Sequence, residues 1–259
     1  MCKLGLKIWS INLSYINDAM RLYEQGFCQY IELFAVPGTY NDVAQKWANL
    51  KIPCVIHAPH FKQGLNFAQK KSFDLNKKLA AEALLFADRL NSEFVIFHPG
   101  ADGDIHQTLE QIKKIFDNRM VIENKPYFSL DGKLVCNGYS PQDIEMLIKE
   151  AGVGFCLDFA HAIFAANALK LNKIDFIKQF MKLNPSMFHI TDGQWDGVFD
   201  EHLNLGHGDF EFDKLKTFFL PDSMITIETK HNFESSLNDF EDDVFFLKNK
   251  GILNEPWIK

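Results

Sequence analysis

Eight short apolar runs recur along the chain, each bounded by polar or turn-forming residues. They are LGLKIW (4–9), YIELFA (30–35), CVIHA (54–58), FVIFH (94–98), MVIEN (120–124), GFCLDF (154–159), MFHIT (187–191) and MITIET (224–229). Runs of this length and continuity read as strands buried on both faces. Longer segments with helical spacing lie between them. In 72–90, Leu75, Leu79, Ala83 and Phe86 fall on one helix face. In 139–152, Ser140 stands at an N-cap position, Pro141 at the first helical position and Gly152 at the stop. The last such segment, 237–251, also ends on a glycine. Strands alternating with helices eight times predict parallel βαβ units closing on themselves. The expectation is an α/β fold, a single (β/α)8 TIM barrel domain over residues 1–259, with its site at the C-terminal rim of the strands. An open doubly wound sheet is the rival and suits five or six strands better.

Composition supports that picture and narrows it. A hydrophobic content of 47% in 259 residues is enough for a large core. No run of 18 uncharged apolar residues appears, so no membrane span is expected. The opening MCKLGLKIWS lacks a long apolar region and a small-residue cleavage site, so nothing signals secretion. The five cysteines are scattered and form no CxxC pair, which reads as reduced thiols in a cytoplasmic protein, with Cys54 and Cys156 inside strands. A net charge of −7 argues against a generic electrostatic grip on nucleic acid, although a local basic groove stays open. Arginine is scarce among the basic residues: Arg21, Arg89 and Arg119 only.

Against these apolar runs, certain polar residues stand out. Six runs carry an acid or an imidazole near the C-terminal end: His57, His98, Glu123, Asp158, His189 and Glu228. Glu32 adds a seventh at a similar place. A buried carboxylate costs several kcal/mol unless it is paired or bound to a cation. One such residue is explained by a hydrogen bond; six on six strands, converging at the rim, call for a divalent ion to offset their repulsion. The mixture of nitrogen and oxygen donors suits zinc, manganese or iron better than calcium. His161 lies three residues beyond Asp158, and Asp200 and His202 stand two apart in the loop DEHLNLGHGDF. Such a pair in extended chain points both side chains to one side, where they can chelate one ion. His207, between two glycines of that loop, has the weaker case.

At these residues the sequence resembles the endonuclease IV (AP endonuclease family 2) branch of the xylose isomerase-like TIM barrel superfamily. The resemblance runs over nearly the whole chain and is clearest from the third run to the eighth. HAP, FHPG, VIEN, LDFAH, FHITD, DEHLNLGHG and TIET align in order with the nine-ligand set of that family. It implies three zinc ions, one on His57, His98 and Glu123, and a second shared through Glu123 and completed by Asp158, His189 and Glu228. A third would sit on His161, Asp200 and His202. The superfamily also holds sugar isomerases and epimerases with one ion, which here would fall on Glu123, Asp158, His189 and Glu228. The loops AVPGTYND and FKQGLNFA depart from the DNA-repair pattern, and YIELF and ENKP look more like the isomerase members.

The resemblance therefore implies a metal-dependent phosphodiester hydrolase acting on abasic DNA, with up to three Zn2+ ions and with Mn2+ or Fe as substitutes. Glu123 would bridge two ions, and Glu228 would orient the attacking water. Lys62, Lys70 and Lys71 are candidate phosphate contacts, and Phe61 or Phe67 a candidate wedge between bases. The alternative is an isomerase or epimerase of a sugar or sugar phosphate, in which Glu123 and Glu228 shuttle a proton and Glu32, Lys125 and Lys230 contact hydroxyls or phosphate.

Overall fold

A computed structural model describes residues 2–233 and 236–253. Of the expected domain, positions 1, 234–235 and 254–259 lie outside the described residues. Eight parallel strands, β1 (Lys3–Trp9), β2 (Tyr30–Phe34), β3 (Cys54–His57), β4 (Val95–Phe97), β5 (Met120–Glu123), β6 (Gly154–Asp158), β7 (Met187–Ile190) and β8 (Met224–Ile227), close in chain order into a barrel. Each predicted run overlaps its strand, and the open-sheet rival is excluded by the pairing of β8 with β1.

Helices cover the outside: α1 (Ile16–Glu24), α2 (Tyr40–Ala48), α3 (Phe73–Leu90), α4 (Ile105–Lys114), α5 (Pro141–Ala151), α6 (Phe159–Ala168), α7 (Lys173–Met181), α8 (Phe212–Leu215) and α9 (Asn238–Asn249). The stop and start signals work as expected in α5: the Ser140 side chain accepts the Asp143 N–H at 3.1 Å, and Gly152 ends the helix at φ 72°. One expectation about α3 fails. Leu79, Ala83 and Phe86 are buried, but Leu75, in the first turn beside Gly64, is 47% exposed.

The alternation of side chains along the strands divides the interior into two storeys. Tyr30, Val55, Ile96, Val121, Cys156 and Met187 pack together as an apolar floor. Two residues further along the same strands stand Glu32, His57, His98, Glu123, Asp158 and His189, all buried. The intervening residues, Ile31, Ile56, Phe97, Ile122 and Leu157 among them, face outward into the core shared with the helices. β1 and β8 follow the same pattern. A side chain at Gly5 would fall on the Tyr30 ring, so glycine leaves the floor to tyrosine, and Thr226 joins it through a 2.9 Å hydrogen bond with the Tyr30 hydroxyl.

Candidate metal centre

Strand register brings the upper storey together. Lys7 pairs with Glu32 across β1 and β2, and Asp158 pairs with His189 across β6 and β7. Three groups of donors, each with one atom per residue within 4.8 Å of the others, result among the described residues: His57, His98 and Glu123; Glu123, Asp158, His189 and Glu228; Glu32, His57 and Glu228. The remaining expected ligands are joined through Asp200, whose Oδ2 lies 3.0 Å from His161 Nε2 and 2.8 Å from His202 Nε2. All nine sequence-predicted ligands therefore meet at one end of the barrel.

Local structure fixes how each donor faces. Asp158 ends β6 and caps α6: its Oδ1 accepts the His161 N–H at 2.7 Å, which leaves Oδ2 buried without a hydrogen-bond partner. His161 is placed by the first turn of that helix. His57 Nδ1 lies 2.8 Å from the Ala58 carbonyl and His202 Nδ1 2.8 Å from the Glu228 carbonyl, so in each the Nε2 turns to the centre. His189 is the reverse: Nε2 lies 2.9 Å from Glu32 Oε2, and Nδ1 faces the centre, 3.2 Å from Glu228 Oε1 and 3.5 Å from Glu123 Oε2. Asp200 and His202 do not meet through extended chain as expected; His202 adopts φ 49°, a left-handed turn that folds its ring back over Asp200.

Asp192, unmarked in the sequence pattern, holds this loop. Its Oδ1 accepts N–H groups from Gly193 and Phe210, and its Oδ2 those of Gly206 and Gly208, at 2.8–3.2 Å. A Cβ on Gly208 would strike Gly193 and Asp192, so the glycines beside His207 serve the turn, and His207 itself is exposed.

A profile of the xylose isomerase-like TIM barrel family matches residues 24–249. The chain belongs to that family. Among curated relatives, an uncharacterised protein of Methanocaldococcus jannaschii is 25% identical over 203 residues, covering 70% of this chain and 66% of its own length, just under two thirds. Among solved structures, a D-tagatose 3-epimerase-like protein superposes with a TM-score of 0.72 at 21% identity, covering 96% of each chain. Endonuclease IV from Thermus thermophilus superposes with a TM-score of 0.70 at 19% identity, covering 95% of this chain and 99% of its own. Both likenesses show the fold.

In this xylose isomerase-like barrel, two lysines enter the ring of donors. Lys7, a charge within an otherwise apolar β1 run that sequence analysis does not single out, pairs with Glu32 Oε1 at 3.0 Å and with Glu228. Lys125, expected to contact substrate, lines the cavity and lies 3.0 Å from Glu123 Oε1, 3.2 Å from His161 Nε2 and 3.4 Å from His98 Nε2. Lys62 and Lys230 are exposed and line the mouth of a cavity of about 500 Å³ that opens over the donors. Lys70 and Lys71 lie outside that cavity, exposed in a short 3-10 turn. Phe61 lines the mouth, whereas Phe67 is fully buried and cannot act as a wedge. Glu32 is also fully buried, engaged by Lys7, His189 and Thr226, and absent from the cavity lining. Trp9 and Phe34 stack at 4.9 Å to form one wall.

Burial and charge set the protonation of the ring. Burial opposes ionisation of Glu123, yet His98 against it, the Lys125 charge and hydrogen bonds from His161 and His189 hold it well below the usual carboxylate range. Burial, with Lys7 beside it, brings His57 down to about 4, and burial also brings His98 well down, so both rings offer lone pairs at neutral pH. Burial pushes Asp158 up, with His161 opposing and the charges of Glu123 and Asp200 adding to the rise. Burial works against charge on His189, and Cys156 beside it, pushed up to about 12, is a neutral thiol that adds none; Glu32 holds the His189 ring well above its ordinary value.

Proposed function

We propose that this protein is a metal-dependent isomerase or epimerase of a small sugar or sugar phosphate. The observation that carries the reading is the group Glu123–Asp158–His189–Glu228, whose donor atoms lie within 4.8 Å of one another and in which Asp158 Oδ2 is buried without a hydrogen bond. Unpaired buried polar atoms are costly, and donors that face one another across a few ångströms fit a cation. A divalent ion on these four residues supplies Lewis acidity toward a substrate carbonyl or hydroxyl oxygen.

The chain's own groups account for the rest. Glu123 and Glu228 open onto the cavity as two carboxylates, each accompanied by a lysine ammonium. One removes the proton from the carbon beside the carbonyl and the other, or the same one, returns it. Trp9 and Phe34 offer an apolar wall to the face of a sugar ring, while Lys62 and Lys230 at the mouth fit hydroxyls or a phosphate. A cavity of this size suits one small ligand.

One observation favours the second reading, phosphodiester hydrolysis at abasic sites: Asp200 Oδ1 is also buried without a partner, beside His161 and His202. The two separate in one experiment. Protein loaded with Mn2+, Co2+ or Zn2+ is incubated in D2O with aldoses, ketoses and their phosphates, and in parallel with duplex DNA carrying a tetrahydrofuran abasic analogue. Deuterium entering the carbon next to a carbonyl, with the DNA intact, supports the isomerase; nicked DNA without exchange replaces it with the hydrolase.

A further inference from the structure

We infer that the Lys125 ammonium is a built-in cation that closes one flank of the centre, so that the chain holds one divalent ion where nine donors in this arrangement would take three. The inference rests on the reading that Glu123, Asp158, His189 and Glu228 hold a metal, and it concerns how many ions accompany that one.

Lys125 is buried, and its Nζ touches donors from both additional groups: His98 Nε2 of one and His161 Nε2 of the other. Glu123 has two oxygens to share. Oε2 faces His57 at 3.2 Å and His98 at 2.9 Å, but Oε1 is taken by Lys125 at 3.0 Å and His161 Nδ1 at 2.9 Å. A carboxylate bridging two ions through its two oxygens would need Oε1 as well, and an ammonium only donates to it. A dication at about 2.0–2.1 Å from the His98 or His161 nitrogen would stand against a fixed positive charge in a poorly screened site.

The lysine's backbone is held in place. Its backbone N–H donates to the Gly138 carbonyl at 3.1 Å, and Pro126 follows it. On the other side, Asn124 is clamped to β6 by bonds of 2.8 and 3.0 Å to the Asp158 backbone. Charge balance points the same way. Five buried carboxylates, Glu32, Glu123, Asp158, Asp200 and Glu228, face the ammoniums of Lys7 and Lys125. Counting carboxylates, lysines and ions alone, one divalent ion leaves this cluster one negative charge, whereas three would leave it three positive charges in a buried site.

The test is the zinc content of purified protein after loading with excess zinc and dialysis, with circular dichroism confirming the fold of each variant. Wild type is expected to keep one equivalent, and Lys125→Met, which preserves length and removes charge, a second. Adding His98→Ala to Lys125→Met should return the count to one, while His98→Ala alone should leave the wild-type count unchanged. Two or three equivalents on wild type, or a count unchanged in Lys125→Met, would overturn the inference while leaving a metal centre. No ion on wild type but one on Lys125→Met would sustain the lysine's role and remove the isomerase site; no ion on either removes both.

Discussion

His189 Nε2 lies 2.9 Å from Glu32 Oε2, and both side chains are wholly buried. The same oxygen accepts the Thr226 hydroxyl at 2.7 Å, and Thr226 is joined to Tyr30. A chain of hydrogen bonds thus runs from the apolar floor to the imidazole whose Nδ1 faces Glu123 and Glu228. Partners of this kind fix ring orientation and tautomer in metal-binding histidines.

Glu32→Gln is accordingly expected to lower affinity for Mn2+ or Zn2+ by about 10- to 100-fold. Because Glu32 favours the protonated His189 ring, metal binding should release a proton in wild type and weaken as the pH falls; that dependence should be shallower in the variant. Calorimetric titration at several pH values reads both effects. Unchanged affinity would assign Glu32 to the Lys7 ion pair alone.

On the proposed reading, Glu123→Gln and Glu228→Gln each remove a proton-transfer carboxylate and a metal ligand. Exchange of solvent deuterium into the active sugar should fall by at least about 10²-fold in each. Metal supplied at saturation separates the two losses: a variant that rebinds its ion and stays inactive has lost the proton carrier.

Asp192→Asn leaves one oxygen for four backbone N–H groups and turns an amide nitrogen toward two of them. A loss of about 2–4 kcal/mol in unfolding free energy is expected, read from urea denaturation. Residues 203–210 should exchange amide hydrogens faster, while the β5 and β6 amides should not.

Asp243, which receives Thr229, the Leu205 N–H and Asn204, is pushed up to about 6 by burial. Its unfolded value is about 3.9, so between these pH values the folded chain binds more protons than the unfolded one. This group's contribution is therefore most favourable below about pH 4 and is lost as the pH rises through 6, by about 2–3 kcal/mol. Asp243→Asn should remove that slope. The difference between the wild-type and variant urea midpoints across pH 4–7 measures it; parallel curves would show that Asp243 ionises normally.

The barrel is legible in the sequence because strands buried on both faces leave continuous apolar runs. The converging donors are legible because His57, Glu123 or Asp158 has no packing use at the end of such a run. Lys7 stands within LGLKIW, but a lone lysine mid-run can also carry its ammonium out along an apolar stem, so nothing marks it as a partner of Glu32. Asp192 is invisible for another reason: its partners are backbone N–H groups up to 18 residues downstream, and main-chain donors leave no mark in a sequence. Lys125 draws notice without revealing its neighbour. Whether a lysine after a strand turns toward the mouth or back onto the preceding glutamate depends on backbone tethers such as Gly138, which only the folded loop reveals.

The two storeys of the barrel also decide traffic. With Tyr30, Val55, Ile96, Val121, Cys156 and Met187 closing the interior beneath the donors, the cavity is a cul-de-sac. Whatever reacts there must back out through the doorway it entered, past Trp9, Lys62, Leu130 and Lys230. Product departure is then governed by side chains that take no part in the bond changes, and turnover can be tuned at the threshold without touching the hearth.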